Sequence, residues 1–246
     1  MSLENIEIAR RFCGPPQSGN GGYVAGRLAK WVQTDEEMTA IAVRLFSPPP
    51  LETPLAVRAS DGRFGLFADE TRVAEARAVA LDLSPPDAPS CEAARRAAES
   101  FRGFTDLVFP KCFVCGYQRE DGDGLRIFPG ESTRPGVFAA PWIPDASVAS
   151  AGSDHVATEF LWAALDCPGA FAFPQPEGKV VLLGEMQVLL TGDVRIGESC
   201  VLASWFIEQS GRKYSTGSAL YNASGDCCGV AKGIWIEIEP DAVPRS

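Results

Sequence analysis

Twice along the chain, a compact helix rich in small and apolar residues is followed by a series of strand-like runs, and this repeated plan limits the folds open to it. The second copy is the sharper one. Phe160-Leu161-Trp162-Ala163-Ala164-Leu165 carries no charge and no polar face, so a helix here must be buried on every side. Four strand runs follow, at 180–190, 200–208, 214–222 and 227–238, with Gly211-Arg212 and Ser224-Gly225-Asp226 as turns between them. Long strands joined by tight turns after one buried helix predict an antiparallel sheet wrapped around that helix.

The first copy is looser. Its helix starts at Gly21-Gly22, with Asn20 as the N-cap, and runs through Tyr23, Val24, Leu28 and Trp31. Strand runs follow at 39–46, 55–59, 63–68 and 73–83. In 73–79 alternation competes with alanine content, and the alternation favours a strand. Three prolines in 84–89 break the pattern, and 90–101 reads as a short alanine-rich helix. At 246 residues the chain accommodates two small domains. The division predicted is 1–83, a linker with a short helix at 84–108, and 109–246. The second domain adds strands at 125–128 and 136–140, and a helix from 158 through at least 165.

Charge and composition exclude several functions. With a net charge of -10 the chain repels a phosphate backbone, so no nucleic-acid partner is expected. No apolar run reaches the roughly 18 residues of a membrane span, so no membrane partner is expected either. Met1-Ser2-Leu3-Glu4-Asn5 lacks the basic and apolar regions of a signal peptide, and Ser2 and Leu3 carry no structural expectation. Eight cysteines without an export signal read as reduced thiols in a cytoplasmic protein.

The single histidine, His155, rules out two-histidine metal sites within one chain, and its setting, Gly152-Ser153-Asp154-His155, reads as a loop. No G-x-S-x-G elbow occurs. Cys112 and Cys115 form a C-x-x-C pair, which supplies two of the four ligands zinc usually takes. Cys227 and Cys228 are adjacent, an awkward spacing for a second pair. No metal and no cofactor are therefore expected, and the C-x-x-C reads as a tight turn leading into a strand.

Three segments carry a resemblance. Cys112-Phe113-Val114-Cys115-Gly116 followed by Gly124-Leu125-Arg126-Ile127-Phe128 is similar to the C-F-x-C-G…G-L-x-L-x-F opening of many thioesterase-superfamily proteins. Phe160 to Asp166 resembles the central helix of a hotdog domain, which often carries an acid. Asn20 to Gly26 resembles the glycine-rich start of that helix in the other half of double-hotdog acyl-CoA thioesterases. The resemblance implies an α+β fold of two tandem hotdog domains, with antiparallel sheets each wrapping a long central helix. It also implies an acyl-CoA or acyl-carrier thioester as substrate, held between the halves. A glutamine that the family places near the last strand is replaced here at Ala231-Lys232-Gly233.

Within that resemblance the candidate catalytic residues are Asp166, Gly21 and Gly22. An ionised Asp166 after an apolar helix is costly unless it is hydrogen-bonded or functional. It can take a proton from water or attack a thioester itself. The bland reading is a helix stop at Asp166-Cys167-Pro168-Gly169. Gly21 and Gly22 open a helix whose free amides suit an oxyanion hole; the bland reading is a glycine-rich turn. Asn20, Gln17 and Tyr23 are the candidate substrate-binding residues. Trp142, Trp162, Trp205 and Trp235 read as core, and Arg212 and Lys213 as surface charge. Hydrolysis is the leading function. A non-catalytic acyl-thioester-binding protein and a hotdog dehydratase or hydratase are the alternatives, and homo-oligomerisation stays open.

Overall fold

The strand-like runs assemble into one antiparallel sheet of 11 strands in the computed structural model, which describes residues 2–33, 39–106 and 108–243. The first five are β1 (Ser2–Ile6), β2 (Ala40–Leu45), β3 (Leu55–Ser60), β4 (Arg63–Ala68) and β5 (Thr71–Val79). The rest are β6 (Gly130–Glu131), β7 (Val137–Trp142), β8 (Val180–Leu190), β9 (Cys200–Ser210), β10 (Lys213–Tyr221) and β11 (Cys227–Ile238). The helices are α1 (Gly21–Ala29), α2 (Cys91–Glu99), α3 (Gly103–Asp106) and α4 (Thr158–Phe171).

The strand order is β1-β3-β4-β5-β2-β8-β11-β10-β9-β7-β6. It is nearly a mirror. From one edge come the strand before α1, then β3, β4 and β5, then the strand after α1. From the other side, once β6 is set aside, come the strand before α4, then β9, β10 and β11, then the strand after α4. The two strands that follow the helices meet at the centre. There β2 pairs with β8, with Ile41 opposite Val188 and Arg44 opposite Glu185.

Both α1 and α4 lie on the same face of this sheet and pack against each other. α1 covers the strands of the first half, α4 those of the second. Val24 and Leu28 of α1, Leu161 and Leu165 of α4, and Met186, Leu202 and Leu220 of the sheet share one buried core. Glycines set the distance between the helices. A Cβ on Gly22 would stand 2.8 Å from the Trp162 carbonyl oxygen and closer still to the Asp166 Cβ; one on Gly26 would stand 2.7 Å from the Glu159 Cα. Any larger residue at either position forces the helices apart.

On the other face, the linker crosses mainly the second half, its cluster also taking in Ala40 of β2. Leu81, Leu83 and Ala88 pack on a cluster formed by Ala203, Ala219, Tyr221 and Val230. Next to it, Ala94 and Ala97 of α2 pack on Ala139 and Val201. Much of the second half is therefore covered on both faces, which suits its long apolar runs, while β9 is exposed from Phe206 onward.

Several expectations need correction. α1 has nine residues and stops at Ala29, so Trp31 lies beyond it and this helix is not long. β1 pairs with β3 although Ser2 and Leu3 carried no expectation. β5 ends at Val79, and the chain to 83 is irregular. Residues 125–128 do not join the sheet. Leu125 and Ile127 are buried as alternation predicts, but their amides donate to the carbonyls of Phe113 (2.8 Å) and Val114 (2.9 Å), which belong to a turn rather than a strand. α4 runs four residues past Cys167, through Pro168 and Gly169, so the helix stop weighed as the bland reading of Asp166 does not occur.

Candidate active site

The continuation of α4 changes what Asp166 is. It is not a turn residue. It stands in mid-helix, 4% exposed, on the side facing the start of α1. A proline inside a helix withholds one amide and normally breaks it. The amide Pro168 lacks is the one the Ala164 carbonyl would accept, and two other carbonyls of this stretch accept from sheet hydroxyls. Ser218 on β10 donates to the Leu165 carbonyl (2.5 Å), and Ser204 on β9 donates to the Pro168 carbonyl (2.8 Å). These strand hydroxyls thus serve the helix backbone. Thr216, their neighbour on β10, accepts from the Trp235 indole (3.0 Å).

One carboxylate oxygen of Asp166 is fully committed. Its Oδ2 accepts from the Gly22 amide (2.9 Å) and from Asn20 Nδ2 (3.0 Å). Its Oδ1 is buried and has no hydrogen-bond partner. Burial pushes the Asp166 carboxyl up to about 7, the Cys112 thiolate adds to the rise, and the Gly22 and Asn20 donors pull against it.

Asn20 joins the halves. As N-cap it accepts from the Tyr23 amide through Oδ1 (2.9 Å) while its Nδ2 reaches across to Asp166. The first-turn amides of α1 are thereby assigned. Gly22 serves Asp166, Tyr23 serves the Asn20 side chain, and Val24 bonds the Asn20 carbonyl (3.0 Å). The Gly22 amide is committed to the carboxylate rather than to a substrate oxygen, which corrects the pairing of Gly21 and Gly22 as joint donors. Among the described residues Gly21, at the first helical position, has no such partner for its amide.

Asn20, Gly21 and Asp166 line one cavity of about 760 Å³ between the start of α1 and the second half of α4. Phe171, Leu183 and Trp235 are among its apolar walls, so of the four tryptophans weighed above only Trp235 borders it. Arg102 also borders it and donates to the carbonyls of Ala170 (3.2 Å) and Phe173 (2.8 Å).

Two of the candidate substrate-binding residues lie elsewhere. Gln17 is exposed and does not line the cavity. Tyr23 is buried in an aromatic cluster, stacked on Phe12 at 4.1 Å between ring centroids, and its hydroxyl accepts from Arg27 (3.1 Å). His155 is in a loop, bonded to Ser153 (3.1 Å) and away from the cavity.

Sequence reasoning missed Cys167. It stands one residue after Asp166, and α4 carries it to the C-x-x-C turn, so that the sulfurs of Cys112, Cys115 and Cys167 lie within 4.8 Å of one another. The count of two ligands around the C-x-x-C is therefore corrected to three. In sequence Cys167 has only an apolar setting, which suits a core residue, and only the three-dimensional path of α4 reveals the cluster.

No family model and no curated protein matches the chain. Solved structures do. It is similar to an acyl-CoA thioesterase II from Mycobacterium marinum, with TM-score 0.60 and 12% identity over 98% of this chain and 96% of that one. A tesB protein from Mycobacterium avium subspecies paratuberculosis gives TM-score 0.59 and 15% identity over 89% and 87%. A conserved protein from Alicyclobacillus acidocaldarius, described as having a hot dog fold, gives 0.52 and 10% over 96% and 93%. The fold is the hotdog fold. At these identities the likeness concerns the path of the chain. The hotdog sheet explains why a helix in each half faces the other and why the cavity opens where they meet. No helix among the described residues is long and apolar enough to cross a membrane.

Proposed function

We propose that the chain is a tandem double-hotdog protein, divided near 1–83 and 109–246, that hydrolyses acyl thioesters of coenzyme A or an acyl carrier. The observation that carries this reading is the buried Asp166. One of its oxygens is fixed by Gly22 and Asn20, the other lacks a partner, and the residue borders an apolar cavity. A carboxylate so held is a positioned base. The mirrored strand order and the thioesterases among the similar structures support the same reading.

In this mechanism the acyl chain fills the cavity and the thioester carbonyl lies near the N-terminus of α1. Asp166 takes a proton from water as the water oxygen bonds to the carbonyl carbon. The Gly21 amide, helped by the helix dipole, bears the developing oxyanion. The carbon–sulfur bond then breaks, and the thiolate leaves and takes the proton. Direct attack by the carboxylate, giving an anhydride that water opens, uses the same residues.

A non-catalytic acyl-thioester-binding protein is the second reading. It is favoured by Ala231-Lys232-Gly233 on β11, and by the commitment of Ser204, Thr216 and Ser218 to helix and indole partners.

Asp166→Asn separates the two. Asparagine keeps the shape but cannot take the proton, so hydrolysis of a panel of short, long and aromatic acyl-CoA substrates should fall about 10²- to 10⁴-fold. Equal turnover by both proteins would remove Asp166 from the chemistry. Binding of acyl-CoA without turnover by the wild type would favour the second reading.

A further inference from the structure

We propose that Cys112, Cys115 and Cys167 bind a zinc ion as thiolates in the wall of the Asp166 cavity. This goes beyond the hydrolytic reading and does not depend on it.

The distances fit a tetrahedral ion. Two sulfurs each about 2.3 Å from a tetrahedral zinc lie about 3.8 Å apart. The Cys112 and Cys167 sulfurs are 3.7 Å apart, and all three lie within 4.8 Å of one another. All three cysteines are buried, and none is in a disulfide.

The C-x-x-C turn has the form that a metal needs. Its two cysteines are brought to one side by the turn, with the third sulfur beside them. The turn closes with the Gly116 amide on the Cys112 carbonyl (2.9 Å). Gly116 is required there, since a Cβ would stand 2.7 Å from the Cys112 nitrogen and 2.8 Å from the Pro110 carbonyl oxygen. The third thiol arrives on a rigid helix. Asn20 Nδ2 lies 3.7 Å from the Cys167 sulfur and 3.9 Å from that of Cys112, a neighbouring donor of the kind that steadies metal thiolates.

The chemistry of the group selects zinc. Three soft sulfur donors within reach of one centre suit a d¹⁰ ion with tetrahedral preference. A disulfide would use two of the three and leave the third without a role. Cys112, Cys115 and Cys167 all border the cavity together with Asp166. Three cysteines leave the fourth ligand of a tetrahedral ion to come from outside this group.

The test reads metal, not activity. Full-length protein purified under reducing conditions, without chelator, is analysed by inductively coupled plasma mass spectrometry. One zinc per chain is expected, lost in Cys112→Ser, Cys115→Ser and Cys167→Ser and kept in Cys91→Ala. Chelator-treated wild type is then titrated with Co²⁺ alone, which keeps the experiment decisive where a serine variant does not fold. Intense thiolate-to-cobalt charge transfer with tetrahedral visible bands is expected. Wild type holding no more zinc than Cys112→Ser, or Co²⁺ spectra without charge transfer, overturns the proposal. So does zinc retained by Cys167→Ser, or a Cys112–Cys167 disulfide in place of metal in the reduced preparation.

Discussion

The two halves share a strand order and differ in almost everything laid upon it. In the first half the sheet's outer surface is polar, with Arg58 paired to Glu70 and both Arg63 and Arg72 paired to Glu75. In the second, the linker and α2 bury that surface. The helices differ in the same direction. α1 is short, has small residues on the side that meets α4, and presents its N-terminus; α4 is longer, apolar from Phe160 to Leu165, and holds an acid and a thiol in mid-helix. The half that is covered on both faces can hold a buried charge rigidly. The half with less cover supplies amides and a side-chain donor. On the hydrolytic reading proposed above, the first half positions and the second supplies the base, and the cavity lies where they meet.

The sharpest way to break this comparison is to push the helices apart. Gly22→Ala adds a Cβ that meets backbone and Cβ atoms of α4, none of which can swing away. Alanine favours a helix by up to about 1 kcal/mol over glycine, but forcing the packed helices apart costs more, so a net loss of about 3 kcal/mol is expected. Urea denaturation measures it. Unchanged or raised stability would mean that α1 and α4 are not held at this distance by the glycines.

A smaller effect probes the second half alone. Ser218→Ala removes the hydroxyl that donates to the Leu165 carbonyl beside the proline. Leaving that carbonyl short of a buried donor should cost about 1–3 kcal/mol. Among the described residues, no strand hydroxyl donates to a carbonyl of α1. A negligible loss in the melting temperature of Ser218→Ala would show that this hydroxyl does not hold α4 to the sheet, and the contrast between the helices would shrink.

Much of this was legible in the chain. The limits of β4, β8 and β11 match their strand runs, and Asn20 caps α1 as its position suggests. What was not legible has a common physical cause. Asp166-Cys167-Pro168-Gly169 has turn chemistry locally, yet it is helical and buried, and its neighbourhood bonds two hydroxyls from strands distant in sequence. Leu125 and Ile127 alternate like a strand, but alternation reports one buried face and not the identity of the partner. Cys167 lies 55 positions from Cys112, and spacing rules see only near neighbours. Gly21 and Gly22 look alike in sequence; only the fold shows one amide taken by Asp166 and the other with no partner.

The smallest expected effect tests whether the division of labour is complete. Tyr23 belongs to α1, whose N-terminus borders the cavity, yet its ring is held by Phe12, Phe113 and Phe160 rather than by the cavity wall. Its hydroxyl meets Arg27. Tyr23→Phe keeps the ring and deletes that one bond, so stability should fall by about 0.5–1.5 kcal/mol. Binding should not change, because nothing facing the cavity has been altered. Calorimetric titration with an acyl-CoA that the wild type binds measures both proteins under the same conditions. A Kd weakened about 10-fold, equal to about 1.4 kcal/mol, would mean that the hydroxyl turns from Arg27 to the ligand. The first half would then supply a specificity contact as well as amides, and its role would extend beyond positioning.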